Sequence, residues 1–266
     1  MADSWRLVLS GAGDPAWNMA VDEAILEAVI AAEQPPTVRF YRWASPSVSL
    51  GRFQQAEKAL NLAVCQDRNI PVVQRLTGGK AVLHGHDLTL CVVAPLRCFA
   101  PAHRVVEVHR RIVQALASGL RALSIETRPV SQVFPRALKG THPNCFHYAL
   151  PGDLTTPDGV KLAGGAQYRR AEVVMEQVSM PFEPLPDTLR GCLQGWVDPP
   201  ASPLIGIAED SLEEALAAGI AREFNLSWQI APLSVDEVAF ASQRQASYQC
   251  TNLSPLPHGA GRGDRT

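Results

Sequence analysis

Two adjacent glycines, Gly78 and Gly79, interrupt an otherwise apolar stretch, and the chain has to reverse or loop there. Ile70, Pro71, Val72 and Val73 read as a buried strand. Ala81, Val82 and Leu83 resume the apolar run, which ends on His84. Paired glycines admit positive φ and let the backbone approach a ligand or another segment closely. Arg75 before the turn and Lys80 after it place two cations beside it, suited to an anionic or carbonyl group. A tight hairpin with solvated flanks has the same spelling, so this stretch alone does not separate a binding loop from a turn.

The rest of the chain alternates strand and helix patterns. Residues 5–10 form a first strand. Asp14 and Pro15 carry helix-start chemistry for a helix over 16–32, whose stripe is Trp17, Ala20, Val21, Ala24, Ile25 and Ala28, with Asn18, Asp22 and Glu23 off the stripe or on its edge. Strands follow at 38–43 and 47–50, then a helix at 58–67. Residues 88–94 spell a strand buried on both faces. A long helix over 103–122 has Val105, Val108, Ile112, Val113, Leu116 and Leu120 as its core stripe, with Arg104, Arg110 and Arg111 mostly opposite. One or two short strands fit 125–133. A hairpin turning at Pro157, Asp158 and Gly159 leads into 160–170, with an antiparallel partner at 172–180. Helices over 212–224 and 235–248 close the domain, taken as residues 1–250. Residues 251–266 turn to Gly, Pro, Arg and Ser and read as a disordered tail. Many hairpin strands with a few long helices predict an α+β fold rather than a doubly wound parallel sheet.

Composition narrows the function. The chain has 266 residues, 46% hydrophobic and 19% charged, enough for one large core or for one core with a small appendage. No apolar run is long enough to span a bilayer and the first residues carry no secretion signal, so a cytoplasmic protein that works off the membrane is expected. The net charge of −2 hides a basic middle: residues 97–139 hold 8 basic and 2 acidic side chains. That patch suits either an acidic partner or the wet face of a helix. Aromatics do not interleave with it, so no nucleic acid is expected. None of the six cysteines forms a Cys-x-x-Cys pair.

Cys145 is the best nucleophile candidate. It stands in a polar loop beside His142 and His147, whereas Cys91 is mid-strand and Cys65 and Cys192 have helical or apolar surroundings. A thiol attacks as thiolate and needs a nearby cation or base, and the following hairpin folds Lys161 back toward it. An inert loop thiol and a metal half-site of His142, Cys145 and His147 are the alternatives, the latter without further suitably spaced ligands.

Four motifs in order resemble the lipoate–protein ligase A/B and biotin ligase superfamily. They are Asn18 to Glu23, Ser49 to Gln54, Arg75 to His84 around Gly78 and Gly79, and Lys161 to Gln167 around Gly164 and Gly165. The resemblance covers roughly residues 5–248 and implies one mixed, largely antiparallel sheet packed with helices. A cysteine just before the lysine hairpin is similar to the octanoyltransferases of the ligase-A-like branch. That likeness implies a thioester on Cys145, with Lys161 as its cationic partner. It implies octanoyl-acyl carrier protein as donor and a lipoyl domain or glycine cleavage H protein as acceptor, with no cofactor, because an acyl thioester is already activated. Arg75, Gly78, Gly79, Lys80, His84, Gly164, Gly165 and Gln167 fall on the motif positions that line the substrate site. His84 is either a proton-transfer helper or a structural residue. Gln74 stands where the family usually has a first arginine, Lys80 where adenylating ligases have a third glycine, and Gln177 near the place of a common histidine. An ATP-dependent lipoate–protein ligase and a non-catalytic relative that binds lipoyl domains or acyl carrier protein are the alternatives.

Overall fold

The computed structural model describes residues 3–129, 144–147, 149–150 and 152–250. The first half of the chain forms β1 (Asp3–Gly13), α1 (Pro15–Ile30), β2 (Thr37–Trp43), β3 (Ser47–Leu50), α2 (Ala56–Ala59), α3 (Leu62–Asp67), β4 (Val72–Gln74), β5 (Val82–His84) and β6 (Asp87–Pro95). The second half adds α4 (Val105–Ala122), β7 (Arg128–Pro129), β8 (Leu154–Thr155), β9 (Lys161–Arg170), β10 (Val173–Pro181), α5 (Glu209–Phe224), β11 (Leu226–Ile230) and α6 (Val235–Arg244).

Eight strands form one mixed sheet in the order β11-β1-β2-β6-β10-β9-β8-β7. The pairs β11–β1 and β1–β2 are parallel, and the remaining pairs are antiparallel. All nine residues of β6 are buried, as expected of a central strand covered on both faces. On one face α4 and α5 pack Val108, Ile112, Leu116, Leu212 and Leu216 onto Phe40, Leu90, Val92, Val174 and Val178. On the other, α1 sets Ala20, Val21, Ala24 and Ile25 against Tyr41, Cys91, Val93 and Met175, with Ala241 of α6 behind. A second, three-stranded sheet, β4-β3-β5, carries the glycine turn between β4 and β5 and has its own small core of Val48, Leu50, Val72, Leu83, Leu189 and Leu193. The α+β class holds, with this small sheet beside the large one. No helix among the described residues is long and apolar enough to cross a membrane.

The local rules that start the helices are visible. The Asp14 carboxylate accepts from the backbone N–H of Ala16 and Trp17, with Pro15 in the first turn. Ser234 and Glu237 form a capping box at α6.

Three expectations change. The helix expected over 58–67 is two short ones, α2 and α3, because Leu60 turns extended and buried to bridge Leu193. Asn18, Asp22 and Glu23 are not edge residues of α1 but buried, at 0%, 1% and 8% exposure. They are drawn in by Arg39 and Arg244, whose guanidinium groups bond them. β11 has no counterpart among the strands expected from the sequence; it adds a parallel edge strand beside β1. Of the strands expected over 125–133, the described part is β7, and residues 130–143 lie outside the described residues, as does the tail at 251–266.

Candidate active site

The glycine turn is clamped from inside. Arg75 is buried, and it donates to the Ser49 carbonyl and hydroxyl, to Thr77 Oγ1, and to the carbonyls of Gly78 and Lys80, at 2.6–3.1 Å. A guanidinium has five N–H donors, and these five bonds take all of them. Arg75 therefore shapes the loop rather than presenting a free cation to a ligand. Burial pushes it down to about 10, still charged at neutral pH. Gln74 stitches the same loop by donating to the carbonyls of Gly51, Arg52 and Gln54. A Cβ on Gly51 would lie 2.1 Å from the Gly79 carbonyl oxygen, so the loop after β3 touches the turn directly.

That turn also sets the cysteine. Asn144 bridges Ala81 in parallel register, and the Cys145 N–H donates to the Ala81 carbonyl at 2.9 Å. The Asn144 side chain accepts from the Phe146 N–H at 2.9 Å and tightens the loop. From the next hairpin Lys161 brings its Nζ 3.6 Å from Cys145 Sγ, 3.2 Å from the Cys145 carbonyl and 2.8 Å from Asp153 Oδ2. Burial alone pulls the Lys161 ammonium down, but charge on Cys145 and the Asp153 carboxylate raise it above its usual value. It is thus a cation held between a sulfur and a carboxylate. A Cβ on Gly164 would stand 2.9 Å from the cysteine sulfur, so glycine there makes room for the thiol.

Two cavities flank the cysteine loop. A narrow slot of about 30 Å³ runs in from Cys145, lined by Met19, Tyr41, Trp43, Val82, Ala166 and Val178, with Arg75, Gly79, His84, Gly164, Gly165, Gln177 and Ser179 also on its walls. A wider cleft of about 240 Å³ lies on the other side of the cysteine loop, bounded by Asn144, Phe146, Lys161, Leu83, Pro184 and Ile205.

His84 lines the slot. Its ring stacks on Trp43 with centroids 3.6 Å apart. Nδ1 bonds Asp87 at 2.8 Å and Nε2 bonds the Ser49 hydroxyl at 2.7 Å. Burial pushes the imidazole down, so it is neutral, donating from Nδ1 to Asp87 and accepting from Ser49. Burial opposes charge on Asp87, yet the carboxylate is held well below its usual range by His84 and by a bond from Ser179. With both ring nitrogens engaged, His84 is a fixed wall of the slot. Gln177 donates to Asp22 Oδ2 and accepts from Thr77 Oγ1, each at 2.7 Å, and so ties α1 to the glycine turn.

Most residues singled out from the sequence therefore converge: Cys145, Lys161, Arg75, Gly79, His84, Gly164 and Gly165 surround these two cavities. Gly78 contributes a carbonyl to the Arg75 clamp, as does Lys80, whose side chain lines neither cavity. Gln167 is not brought to the slot. Its amide donates to Glu176 and to the Val105 carbonyl of α4, on the opposite face of the sheet. His142 lies outside the described residues, and His147 is exposed. Among the described residues no cluster of three His, Cys, Asp or Glu side chains is placed to hold a metal ion. Sequence reasoning missed Asp153, Asp87, Glu176 and His109. The one available signal was Glu176, a charge in an otherwise uncharged strand from Val173 to Val178.

A family model of the lipoyl protein ligase A/B catalytic domain matches residues 14–213. The chain belongs to this family. Among curated relatives, the octanoyltransferase LipM of Exiguobacterium sp. is 37% identical over 193 residues, 71% of this chain and 70% of that one. The LipM of Kyrpidia tusciae is 32% identical over 264 residues, covering 92% and 96%. The Moorella thermoacetica LipM is 39% identical over 179 residues, covering 67% and 65%. This member of the lipoyl protein ligase A/B family is an acyltransferase, and octanoyl transfer in protein lipoylation is the activity its curated relatives support. The fold is shared with solved ligases. A bi-partite lipoate protein ligase from Thermoplasma acidophilum, solved in a study of that ligase and its E2 lipoyl domain, superposes with a TM-score of 0.76 at 21% identity, over 97% of this chain and all of that one. A putative lipoate protein ligase from T. acidophilum with bound lipoic acid gives 0.74 at 23%, over 91% and 94%.

Proposed function

We propose that this chain moves an octanoyl group from acyl carrier protein, through a thioester on Cys145, to a lysine of a lipoyl domain or glycine cleavage H protein. The observation that carries the reading is the 3.6 Å approach of Lys161 Nζ to Cys145 Sγ, with Cys145 on the wall of a narrow apolar slot and Lys161 on the wall of an open cleft. The Cys145 thiolate attacks the carbonyl carbon of the carrier thioester. Negative charge develops on the carbonyl oxygen, and the Lys161 ammonium is within reach to stabilise it. Collapse breaks the bond to the carrier sulfur, which leaves as a thiolate and takes up a proton. The acceptor amine, once neutral, then attacks the Cys145 thioester, loses a proton as the amide forms, and returns the cysteine as thiolate.

The slot suits the acyl tail and the cleft suits the arms that deliver and receive it. At about 30 Å³ the slot holds little more than one water, so an eight-carbon tail parts its walls. Met19, unbranched and flexible, is the wall residue best able to move. Burial of the tail contributes about 0.8 kcal/mol per methylene.

The test is incubation with octanoyl carrier protein and an apo lipoyl domain without ATP, followed by intact-mass measurement. Octanoylated acceptor that disappears in Cys145→Ala, together with an octanoyl adduct trapped on Cys145 when the acceptor is withheld, is the expected result. Modification only with free lipoate and ATP, undiminished in Cys145→Ala, refutes the thioester route.

A further inference from the structure

Behind Lys161 stands a second set of charges that the relay just proposed does not use, and the inference drawn from it rests on that relay. Glu176 is fully buried midway along β10. Its Oε1 meets His109 Nδ1 at 2.5 Å, and its Oε2 accepts from Gln167 at 2.6 Å. His109 comes from α4, and its other ring nitrogen faces Asp153 Oδ1 at 4.0 Å. Asp153 turns its second oxygen to Lys161, and Lys161 reaches the cysteine sulfur. The side chains of Glu176, His109, Asp153 and Lys161 are only 0%, 16%, 8% and 5% exposed, so solvent screens their charges weakly.

The two glycines of β9 fit this arrangement. A Cβ on Gly164 would meet the cysteine sulfur, whereas one on Gly165 would lie 2.8 Å from His109 Cε1 and 3.0 Å from Glu176 Oε1. Consecutive strand residues face opposite sides of a sheet. The sulfur and the imidazole therefore stand on opposite faces of β9, and the Asp153–Lys161 pair joins them.

We propose that His109, as an imidazolium, is a positioning residue that neutralises the carboxylates behind Lys161 and so keeps the ammonium committed to the Cys145 thiolate. When the thiol is ionised, the row alternates in sign: Glu176 negative, His109 positive, Asp153 negative, Lys161 positive, sulfur negative. With a neutral imidazole, two buried carboxylates and a thiolate share one ammonium, and Asp153 competes with the sulfur for it. The charged groups that face His109 are Glu176 from β10, Asp153 from the segment before β8 and Lys161 from β9. Burial pulls the imidazole down, as does the Lys161 charge, but the bond and charge of Glu176 together with the charge of Asp153 raise His109 above its usual value.

The test is the pH profile of Cys145 alkylation by iodoacetamide, read at the Cys145 peptide by mass spectrometry. His109→Gln leaves the charge of Glu176 uncompensated while still offering it an amide donor. The alkylation midpoint is expected to move to higher pH, and a midpoint one pH unit higher makes alkylation below it about tenfold slower. Adding Glu176→Gln removes the uncompensated charge, so the double variant is expected to return to the wild-type midpoint. A purely structural role predicts the reverse, with the second substitution worsening the first. A wild-type midpoint in His109→Gln, or a double variant no nearer to wild type than the single, overturns the proposal. If His109→Gln does not fold, the double variant decides alone: a wild-type midpoint supports the charge row and a displaced one overturns it. An NMR titration showing the His109 ring neutral at pH 7 also overturns it. Alkylation needs no acyl donor, so these outcomes are independent of the transfer assay with Cys145→Ala, which tests the thioester reading itself.

Discussion

Replacing Lys161 with methionine removes one positive charge 3.6 Å from the cysteine sulfur while keeping a side chain of similar length. At that separation two unit charges interact by about 4 to 5 kcal/mol at an effective dielectric constant of about 20, and by about 1 kcal/mol in bulk water. The half-buried sulfur lies between these limits. Asp153, 2.8 Å from the same ammonium, offsets part of the effect. The lost cation faced the sulfur, so the alkylation profile of Cys145 in Lys161→Met is expected to move to higher pH. The assay is the second-order rate of iodoacetamide alkylation across a pH series in wild type, Lys161→Met, and Lys161→Met with Asp153→Asn. The double variant, freed of the orphaned carboxylate, is expected to recover part of the lost ground. An unchanged midpoint in Lys161→Met, or one moved down, refutes the claim that this ammonium supports the thiolate.

Two further outcomes are expected. Gly164→Ala puts a Cβ 2.9 Å from the sulfur and 3.3 Å from the Phe146 ring. Displacing a reacting atom by about 1 Å costs on the order of a hundredfold in rate, so octanoyl transfer should fall by about that factor while the thermal midpoint changes little; full activity would show that the sulfur works from elsewhere. Glu237, buried with Arg6 between α6 and β1, is the other sensitive point. Burial pushes its carboxyl up, but Arg6 and the Ser234 N–H hold it below its usual value. A depressed carboxylate contributes stability above its unfolded value of about 4.3, and that stability is lost as pH falls through the folded value. Glu237→Gln should cost about 3 to 5 kcal/mol in urea unfolding at pH 7 and much less in acid; an equal cost at both pH values would refute the ionic role.

The approach of the lysine to the cysteine was legible because the hairpin that carries Lys161 is set by local chemistry, whereas the Ala81 contact that seats Cys145 is long-range. Gly159 takes φ +91° and closes the hairpin that carries Lys161, and such turns are spelled in sequence. The glycine turn was legible for the same reason. The use of Arg75 was not. Its five acceptors are carbonyl and hydroxyl oxygens whose directions exist only once the turn has folded. Asp22 sits at the margin of the α1 stripe on a helical wheel, and only the distant Arg39, Tyr41 and Gln177 make its burial tolerable. β11 has mostly exposed side chains and pairs along one edge, so no alternation announced it. His109 borders the apolar stripe of α4 beside Val108, and its partner Glu176 lies 67 residues away. Periodicity places a residue on a face, but it does not say what stands opposite.

The bridge between Ala81 and Asn144 has a mechanical consequence. The sulfur hangs from the backbone that leaves the glycine turn, one residue before Val82 on the wall of the slot. Any outward shift of this wall therefore pulls on the contact that seats the cysteine. The nucleophile and the wall of the slot are thus coupled through one hydrogen bond between segments, from the Cys145 N–H to the Ala81 carbonyl, and the Ala81–Val82 peptide.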